Sequence, residues 1–184
     1  MAAAGPAAVE LVQKGVLEFS SVMGGILGRA VPGMEIQGLP FAFTSHAQVH
    51  EVNDGAFGAY LGRECAAKGI HRFQYGLLEN GFRQIGMIDR PIRTSDDLAG
   101  MRMRVPDGAM FRDLFSSLDA GPVTVNIREL YEAPRTPHVD RQEQPLALNQ
   151  VNQLYEVPTA PELPHPTSSG SHPIAHLPHL HSLL

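Results

Sequence analysis

The sequence is poor in features that mark several large classes of protein. Its single cysteine, Cys65, excludes a disulfide within the chain and leaves the redox compartment undecided. No apolar run approaches the roughly 18 residues that cross a bilayer, so we expect no direct membrane insertion. Charged residues make up only 18% of the chain, and the net charge is -5. A chain this mildly acidic is not expected to attract nucleic acid or an anionic membrane.

Targeting and catalytic signatures are also missing. Met1–Glu10 has no basic residue followed by an apolar core, so no signal peptide is visible. This predicts either a cytoplasmic protein or a chain whose true beginning lies upstream. No serine lies in a nucleophile elbow. The run Gly24-Gly25-Ile26-Leu27-Gly28 lacks the spacing of a dinucleotide fingerprint or a P-loop, and it predicts a tight turn. We therefore expect no enzyme and no cofactor.

Up to about Val157 the sequence predicts alternating helices and strands, which favours an α/β fold with a largely parallel sheet. The apolar spacing predicts helices near residues 7–12, with a stop at Lys14–Gly15, and from 49 to a stop at Lys68–Gly69. It also predicts helices at 110–118, with Asp107 as the cap, and from Asn126 onward. Strands are expected at 70–78, 82–88, 101–105 and 123–125. Pro134 should end or kink the last helix.

The final segment, residues 158–184, has a different composition. It contains six prolines and five histidines and shows no helical or strand period. Because proline removes a backbone donor and breaks both helices and sheet ladders, the composition predicts a poorly ordered tail.

Arginines are concentrated between positions 83 and 104, where five of the 14 basic residues lie. Arg104 ends an alternating segment, Met101–Val105, directly before a predicted helix. This position is the carboxyl end of a strand beside a helix N-terminus, where open α/β sheets bind anionic ligands. A guanidinium there can hold a carboxylate by two parallel hydrogen bonds. The alternative is that these arginines are solvated or paired with nearby aspartates.

Histidines offer a second kind of site. His46 and His50 are four apart on a predicted helix, but the zinc-protease glutamate and a third ligand are both missing. The four tail histidines at 172, 176, 179 and 181 resemble a loose metal-binding tract. We predict no metal site, and a metal-binding tail stays an alternative function.

Seven short segments follow one another along the chain: Gly38–Phe43, Asn80–Gln84, Arg90–Ile92, Asp97–Gly100, Met103–Pro106, Glu129–Ala133 and Val139–Asp140. Taken together and in this order, they resemble the substrate-binding proteins of TRAP (tripartite ATP-independent periplasmic) transporters. The similarity runs from about Ala8 to about Val157. The resemblance implies a two-domain periplasmic binding protein-like fold that closes on its ligand. Both domains are incomplete here, with 1–80 and 81–157 as partial domains and 158–184 as the tail.

The resemblance also implies a function and a site. It implies an extracytoplasmic protein that captures a small organic carboxylate in the periplasm and delivers it to the membrane subunits of a TRAP transporter. By this similarity Arg104 is the main carboxylate-binding residue, Arg83 a supporting one and Gln144 a polar contact. Gln144 stands where the family has asparagine.

Further departures from the family pattern surround Gln144. Asp119, Pro137 and Arg141 stand at glycine positions, and Pro134 stands at a leucine position. They leave two alternatives open besides the metal-binding tail. One is a truncated, non-functional relative of such a receptor. The other is a cytoplasmic α/β enzyme, which requires a catalytic group beside Arg104.

Overall fold

The helices lie close to the predicted apolar stripes. The computed structural model describes residues 5–86, 92–125, 129, 141–145 and 164–178. The α-helices are α1 Pro6–Gln13, α2 Gly24–Leu27, α3 His46–Asp54, α4 Ala56–Ala66 and α5 Ala109–Ser117, and 3₁₀ helices span Pro32–Gly38 and Ser95–Leu98. None of the helices in these ranges is long and apolar enough to cross a bilayer. Apart from residue 129, the helix predicted from Asn126 onward lies outside the described residues, and so does Pro134.

Two helix predictions differ from the structure in detail. The helix expected from 49 to the Lys68–Gly69 stop is two helices, because Gly55 is extended (φ -86°, ψ -156°) and separates α3 from α4. Asp107 does not cap α5. The N-cap residue is Gly108, which provides no side-chain hydrogen bond, whereas Asp107 pairs with Arg29 and Arg112. The apolar stripe of α5 is confirmed, since Phe111 and Phe115 are buried.

The strands form one mixed sheet. They are β1 Phe19–Met23, β2 Ile70–Arg72, β3 Leu78–Gly86, β4 Arg102–Val105, β5 Gly121–Thr124, β6 Arg141–Pro145 and β7 Pro164–His176. The order is β1-β7-β3-β6-β4-β5, and β2 also pairs with β7. Two of the described pairings, β4–β5 and β4–β6, are parallel, and the other described pairings are antiparallel. The prediction of a largely parallel sheet is therefore wrong for this part of the chain.

The prediction of a disordered tail is also wrong for its central part. Residues 164–176 form β7, which pairs with β1 on one side and with β2 and β3 on the other. Proline density misled the prediction because the cost of proline depends on its position in the ladder. Pro164 is the first residue of the strand, where proline is tolerated, and Pro166 falls within a register irregularity against β3.

Pro173 occupies a gap in the ladder. Its carbonyl accepts from the amide of Phe73, so its nitrogen also faces the side of β7 that carries β2 and β3. The register of β2 covers residues 174–176 of β7, and that of β3 covers 164–171. Pro173 therefore lies between the two pairings. Its missing backbone N–H leaves no carbonyl of β2 or β3 without a ladder hydrogen bond at this position.

A buried chain of hydrogen bonds anchors β7 to the first helices. The Nε of Arg72 donates to Nδ1 of His172 over 3.2 Å, and Nε2 of His172 lies 2.9 Å from Oε1 of Gln37. Gln37 in turn donates to Oδ1 of Asn53, whose amide donates to the carbonyl of Val49. Because Nδ1 accepts, Nε2 carries the proton and the imidazole is neutral.

The apolar core divides into two main clusters. The first contains Val12, Leu27, Leu61 and other residues from 8 to 70, together with Ile174 of β7. The second lies entirely between residues 85 and 120 and is built around Phe111 and Phe115. The strand β7 thus returns late in the chain to complete the first cluster. The predicted domain boundaries at 80 and 157 stay predictions.

Candidate functional site

The sheet brings the three predicted site residues onto neighbouring strands. Arg83 lies on β3, Gln144 on β6 and Arg104 on β4, with β6 between the other two strands. Gln144 is in register with Gln84, and Arg104 is in register with Gln142. Residues up to 61 positions apart in sequence therefore occupy adjacent strands. Only the backbone of Gln144 lies within what the structure describes.

Arg104 is buried and held by a backbone carbonyl. It is 3% exposed, and its Nε and Nη2 donate to the carbonyl oxygen of Val125 over 3.0 and 2.7 Å. Within the described residues, no carboxylate forms a hydrogen bond or salt bridge with it. Burial lowers the pKa of Arg104 to about 10; Arg83 contributes to the fall and Glu143 opposes it. The guanidinium therefore stays charged at neutral pH.

Arg83 is also buried, but a carboxylate of the protein neutralises it. Its Nε donates to Oε1 of Glu143, and its Nη2 donates to Oε2 over 2.6 Å and to the Glu143 carbonyl over 2.9 Å. Both side chains are 1% exposed. The guanidinium carbon also lies 4.7 Å from the ring centre of Phe111. Arg83 is thus bound within the protein, in an arrangement that fixes β3 against β6.

Sequence reasoning missed Glu143. Its only signal was a lone acidic residue next to Gln144, which carries no chemical pattern. The pairing becomes visible only through the β3–β6 register, which places Ile85 opposite Glu143 and Arg83 two positions away along the same strand. Diagonal neighbours of this kind lie within reach of long side chains.

Among the described residues, the charges of the site do not balance. Arg104, Arg83 and Glu143 are all at least nine-tenths buried and sum to one positive charge. An unpaired buried charge is unfavourable unless an opposite charge or several hydrogen bonds compensate it. The arrangement is therefore suited to an anion at Arg104.

The departures from the family pattern are only partly covered by the described residues. Pro134 and Pro137 lie outside them, and only the backbone of Arg141 is described. Asp119 has a φ of 55°, in the left-handed region that favours glycine. Aspartate tolerates this region better than most residues do, so the replacement is compatible with the turn before β5.

The histidines do not converge on a metal. His46 pairs with Glu79 through Nδ1 and Oε2, and the described residues contain no group of three or more metal-ligating side chains. His172, one of the four tail histidines, is fully buried and its two ring nitrogens are engaged by Arg72 and Gln37. It cannot join a loose chelating tract without breaking those bonds. His179 and His181 lie outside the described residues.

Cys65 is a packed residue. It is fully buried in the first apolar cluster, and burial raises the pKa of its thiol to about 11. A thiol in this state supplies almost no thiolate at neutral pH, so it is a poor nucleophile and a poor metal ligand.

The fold is that of a periplasmic solute-binding protein. The chain belongs to the family described as bacterial extracellular solute-binding protein, family 7, whose family model matches residues 3–171. This family consists of solute-binding receptors, not enzymes. The match extends beyond Val157, where the sequence similarity was expected to end, and it includes part of β7.

Known relatives support this assignment. A 2,3-diketo-L-gulonate-binding periplasmic protein of Escherichia coli is 29% identical over 126 residues, covering 68% of this chain and 38% of that protein. A TRAP periplasmic solute-binding protein from a Sulfitobacter species, solved with bound β-D-galacturonate, is 27% identical with a TM-score of 0.89. Another from Roseobacter denitrificans, with bound β-D-glucuronate, is 26% identical with a TM-score of 0.90.

The chain is shorter than these relatives. Each of the two structural matches includes 98% of this chain but only 60% of the Sulfitobacter protein and 59% of the Roseobacter protein. The matches to three curated relatives include between 27% and 45% of the length of those proteins. The similarity therefore concerns a part of the whole receptor.

Proposed function

We propose that this chain forms the carboxylate-binding part of an extracytoplasmic receptor that captures a small organic acid in the periplasm and delivers it to the membrane subunits of a TRAP-type transporter. The observation that carries the proposal is Arg104, a guanidinium 3% exposed whose described hydrogen bonds go only to the Val125 carbonyl. Membership of the solute-binding family supports it.

The proposed binding mode assigns different tasks to the two arginines. Val125 orients Arg104 through Nε and Nη2, and the remaining N–H groups of Arg104 are proposed to grip the ligand carboxylate. Arg83, already paired with Glu143, supports the strands around the ligand. Gln144 on β6 is proposed as a polar contact. Binding of this kind needs no acid, base or nucleophile, in line with a receptor.

The relatives suggest which acids to test. Three solved TRAP solute-binding proteins at 26–27% identity hold β-D-galacturonate, β-D-glucuronate and D-erythronate. All three ligands combine one carboxylate with several hydroxyls. We therefore propose a hydroxylated monocarboxylate as the ligand class, with a simple dicarboxylate as the second choice.

Isothermal titration calorimetry tests the proposal. The purified chain is titrated with D-galacturonate, D-glucuronate, D-erythronate and succinate. Arg104→Lys keeps the charge but loses the planar fork, and Arg104→Met removes the charge. Truncating one partner of a desolvated pair costs roughly 2–5 kcal/mol of binding, so we expect Arg104→Met to abolish measurable binding and Arg104→Lys to weaken it clearly.

The matched control is Arg102→Lys, because Arg102 lies on the same strand but is exposed. We expect it to bind like the parent chain. Equal losses at both arginines would indicate only general electrostatic attraction and would contradict the assignment of Arg104. A parent chain that folds cooperatively but binds none of the acids would favour the alternative, a truncated and non-functional relative.

A further inference from the structure

The helix α5 receives its N-terminal cap from a distant part of the chain. Its own N-cap residue, Gly108, offers no side chain. Instead, the Glu35 carboxylate of the Pro32–Gly38 helix accepts from the amide of Met110 over 2.7 Å and from that of Ala109 over 3.4 Å. A carboxylate at this place is favoured by the free N–H groups and by the helix dipole.

Glycines make this contact possible. A Cβ on Gly28 would overlap the side chain of Glu35, and one on Gly38 would overlap the Met110 side chain. A Cβ on Gly25 would lie 2.9 Å from Cε2 of Phe111. Gly25 and Gly38 therefore let α2 and the Pro32–Gly38 helix lie close to α5, and Gly28 leaves room for the Glu35 side chain.

An ion-pair bridge lies beside the cap. Asp107, just before α5, accepts from Arg29 over 2.8 Å and from Arg112 over 3.0 Å. The Arg29 side chain is 62% exposed, so its pairing contributes little to stability. The Arg29–Asp107 pair and the Glu35 cap nevertheless join the region of the first apolar cluster to the helix that carries the second.

We propose that Glu35 is a latch: its carboxylate holds the N-terminus of α5 only when the two cluster regions are closed on each other, and it thereby sets how long a bound acid is retained. This inference rests on the function proposed above. Glu35 is a positioning residue, since neither it nor Ala109 is proposed to touch the ligand.

The effect on binding follows from the coupling between closure and retention. A group that interacts only in the closed arrangement shifts the equilibrium between the open and closed arrangements toward the closed one. The size of the shift equals the free energy of that interaction. A negative charge at a helix N-terminus stabilises the helix. Losing it should therefore raise the dissociation rate by roughly two- to thirtyfold, while the association rate changes little.

Two variants test the latch from opposite sides. Glu35→Gln removes the charge and keeps the shape. Gly28→Ala keeps the glutamate at position 35 but adds a methyl group that would displace its side chain. Alanine adopts the backbone angles of Gly28 readily, because they are ordinary helical angles (φ -54°, ψ -26°). Glu51→Gln is the matched control, an exposed glutamate on α3 whose carboxylate makes no described contact.

Dissociation is measured by stopped flow with whichever of D-galacturonate, D-glucuronate and D-erythronate binds the parent chain most tightly, and amide exchange is followed at Ala109 and Met110. We expect faster dissociation and faster exchange in both test variants and neither in Glu51→Gln. A lower melting temperature with unchanged dissociation would refute the latch and leave a purely structural cap. Unchanged exchange would show that the cap does not form.

The two proposals fail in distinguishable ways. If the parent chain binds the acid and Glu35→Gln releases it at the parent rate, the latch is wrong and the receptor function stands. If the parent chain binds neither these three acids nor succinate, the proposed function is wrong, and so is a latch that serves it.

Discussion

The buried pair of Arg83 and Glu143 provides a demanding test of how the strands around the site are held. Each side chain is 1% exposed, and the pair joins β3 to β6 by charge-assisted hydrogen bonds, including one of 2.6 Å from Nη2 to Oε2. Glu143→Ala would leave a buried guanidinium without its carboxylate. Arg104, already a second buried positive charge, aggravates the imbalance.

The expected loss of stability is large. Removing one partner of a buried ion pair costs roughly 3–5 kcal/mol, a substantial share of the 5–15 kcal/mol that stabilises a typical domain. For a chain of this size each kcal/mol lowers the melting temperature by about 2–4 °C. Glu143→Ala should therefore lower it by roughly 6–20 °C.

The double variant Arg83→Met with Glu143→Leu distinguishes the loss of the ion pair from the cost of one unpaired buried charge. Because it leaves no unpaired charge, it should be more stable than Glu143→Ala alone. Glu10→Gln is the surface control, since the Glu10–Lys14 pair spans 3.9 Å between side chains 69% and 67% exposed and should contribute below about 0.5 kcal/mol.

Urea and thermal unfolding followed by circular dichroism provide the free energies. If Glu143→Ala unfolds within about 1 kcal/mol of the parent chain, the pair is not desolvated as the geometry indicates. If the double variant is less stable than Glu143→Ala, the strands need the charges themselves, and the argument from burial is wrong.

Two further predictions concern β7. Burial and the nearby Arg72 lower the pKa of His172 to about 3, below the roughly 6.5 of a free histidine. Between these two pKa values the unfolded chain binds more protons than the folded chain, so the free energy of unfolding should fall as pH drops below about 6.5, by up to about 1.4 kcal/mol per pH unit. Urea midpoints measured across this pH range should show the fall. His172→Gln should weaken the pH dependence, and an unchanged pH dependence in this variant would contradict the assignment to His172. Deleting residues 164–184 should abolish cooperative unfolding, because β7 pairs with three strands, whereas a retained sharp transition would show that β7 is dispensable.

Local patterns were enough to predict most helices and several strands. The Ala7–Val12 stripe with its Lys14–Gly15 stop corresponds to α1, and Gly15 has the expected positive φ of 69°. The alternation of Met101–Val105 corresponds to β4, with Arg104 near its carboxyl end. These signals are local, because each depends on the spacing of side chains within one element.

Predictions failed where one element depends on a distant one. Proline density suggested disorder in the tail, yet each of the three prolines in β7 falls where the ladder tolerates it. Asp107 resembled a helix cap, but the cap of α5 is Glu35, more than 70 residues earlier. Neither outcome follows from local spacing, because both depend on which segments become neighbours after folding.

The sequence by itself determined the family, through its ordered short segments, and it predicted which arginines form the site. Only the tertiary structure decided how the two arginines differ. Arg83 forms hydrogen bonds with Glu143 because β6 lies beside β3. Among the described residues, Arg104 forms hydrogen bonds only with the Val125 carbonyl. The same residue type is neutralised in one place and left charged in the other, since the energy of a buried charge depends on the groups that the fold brings within hydrogen-bonding distance.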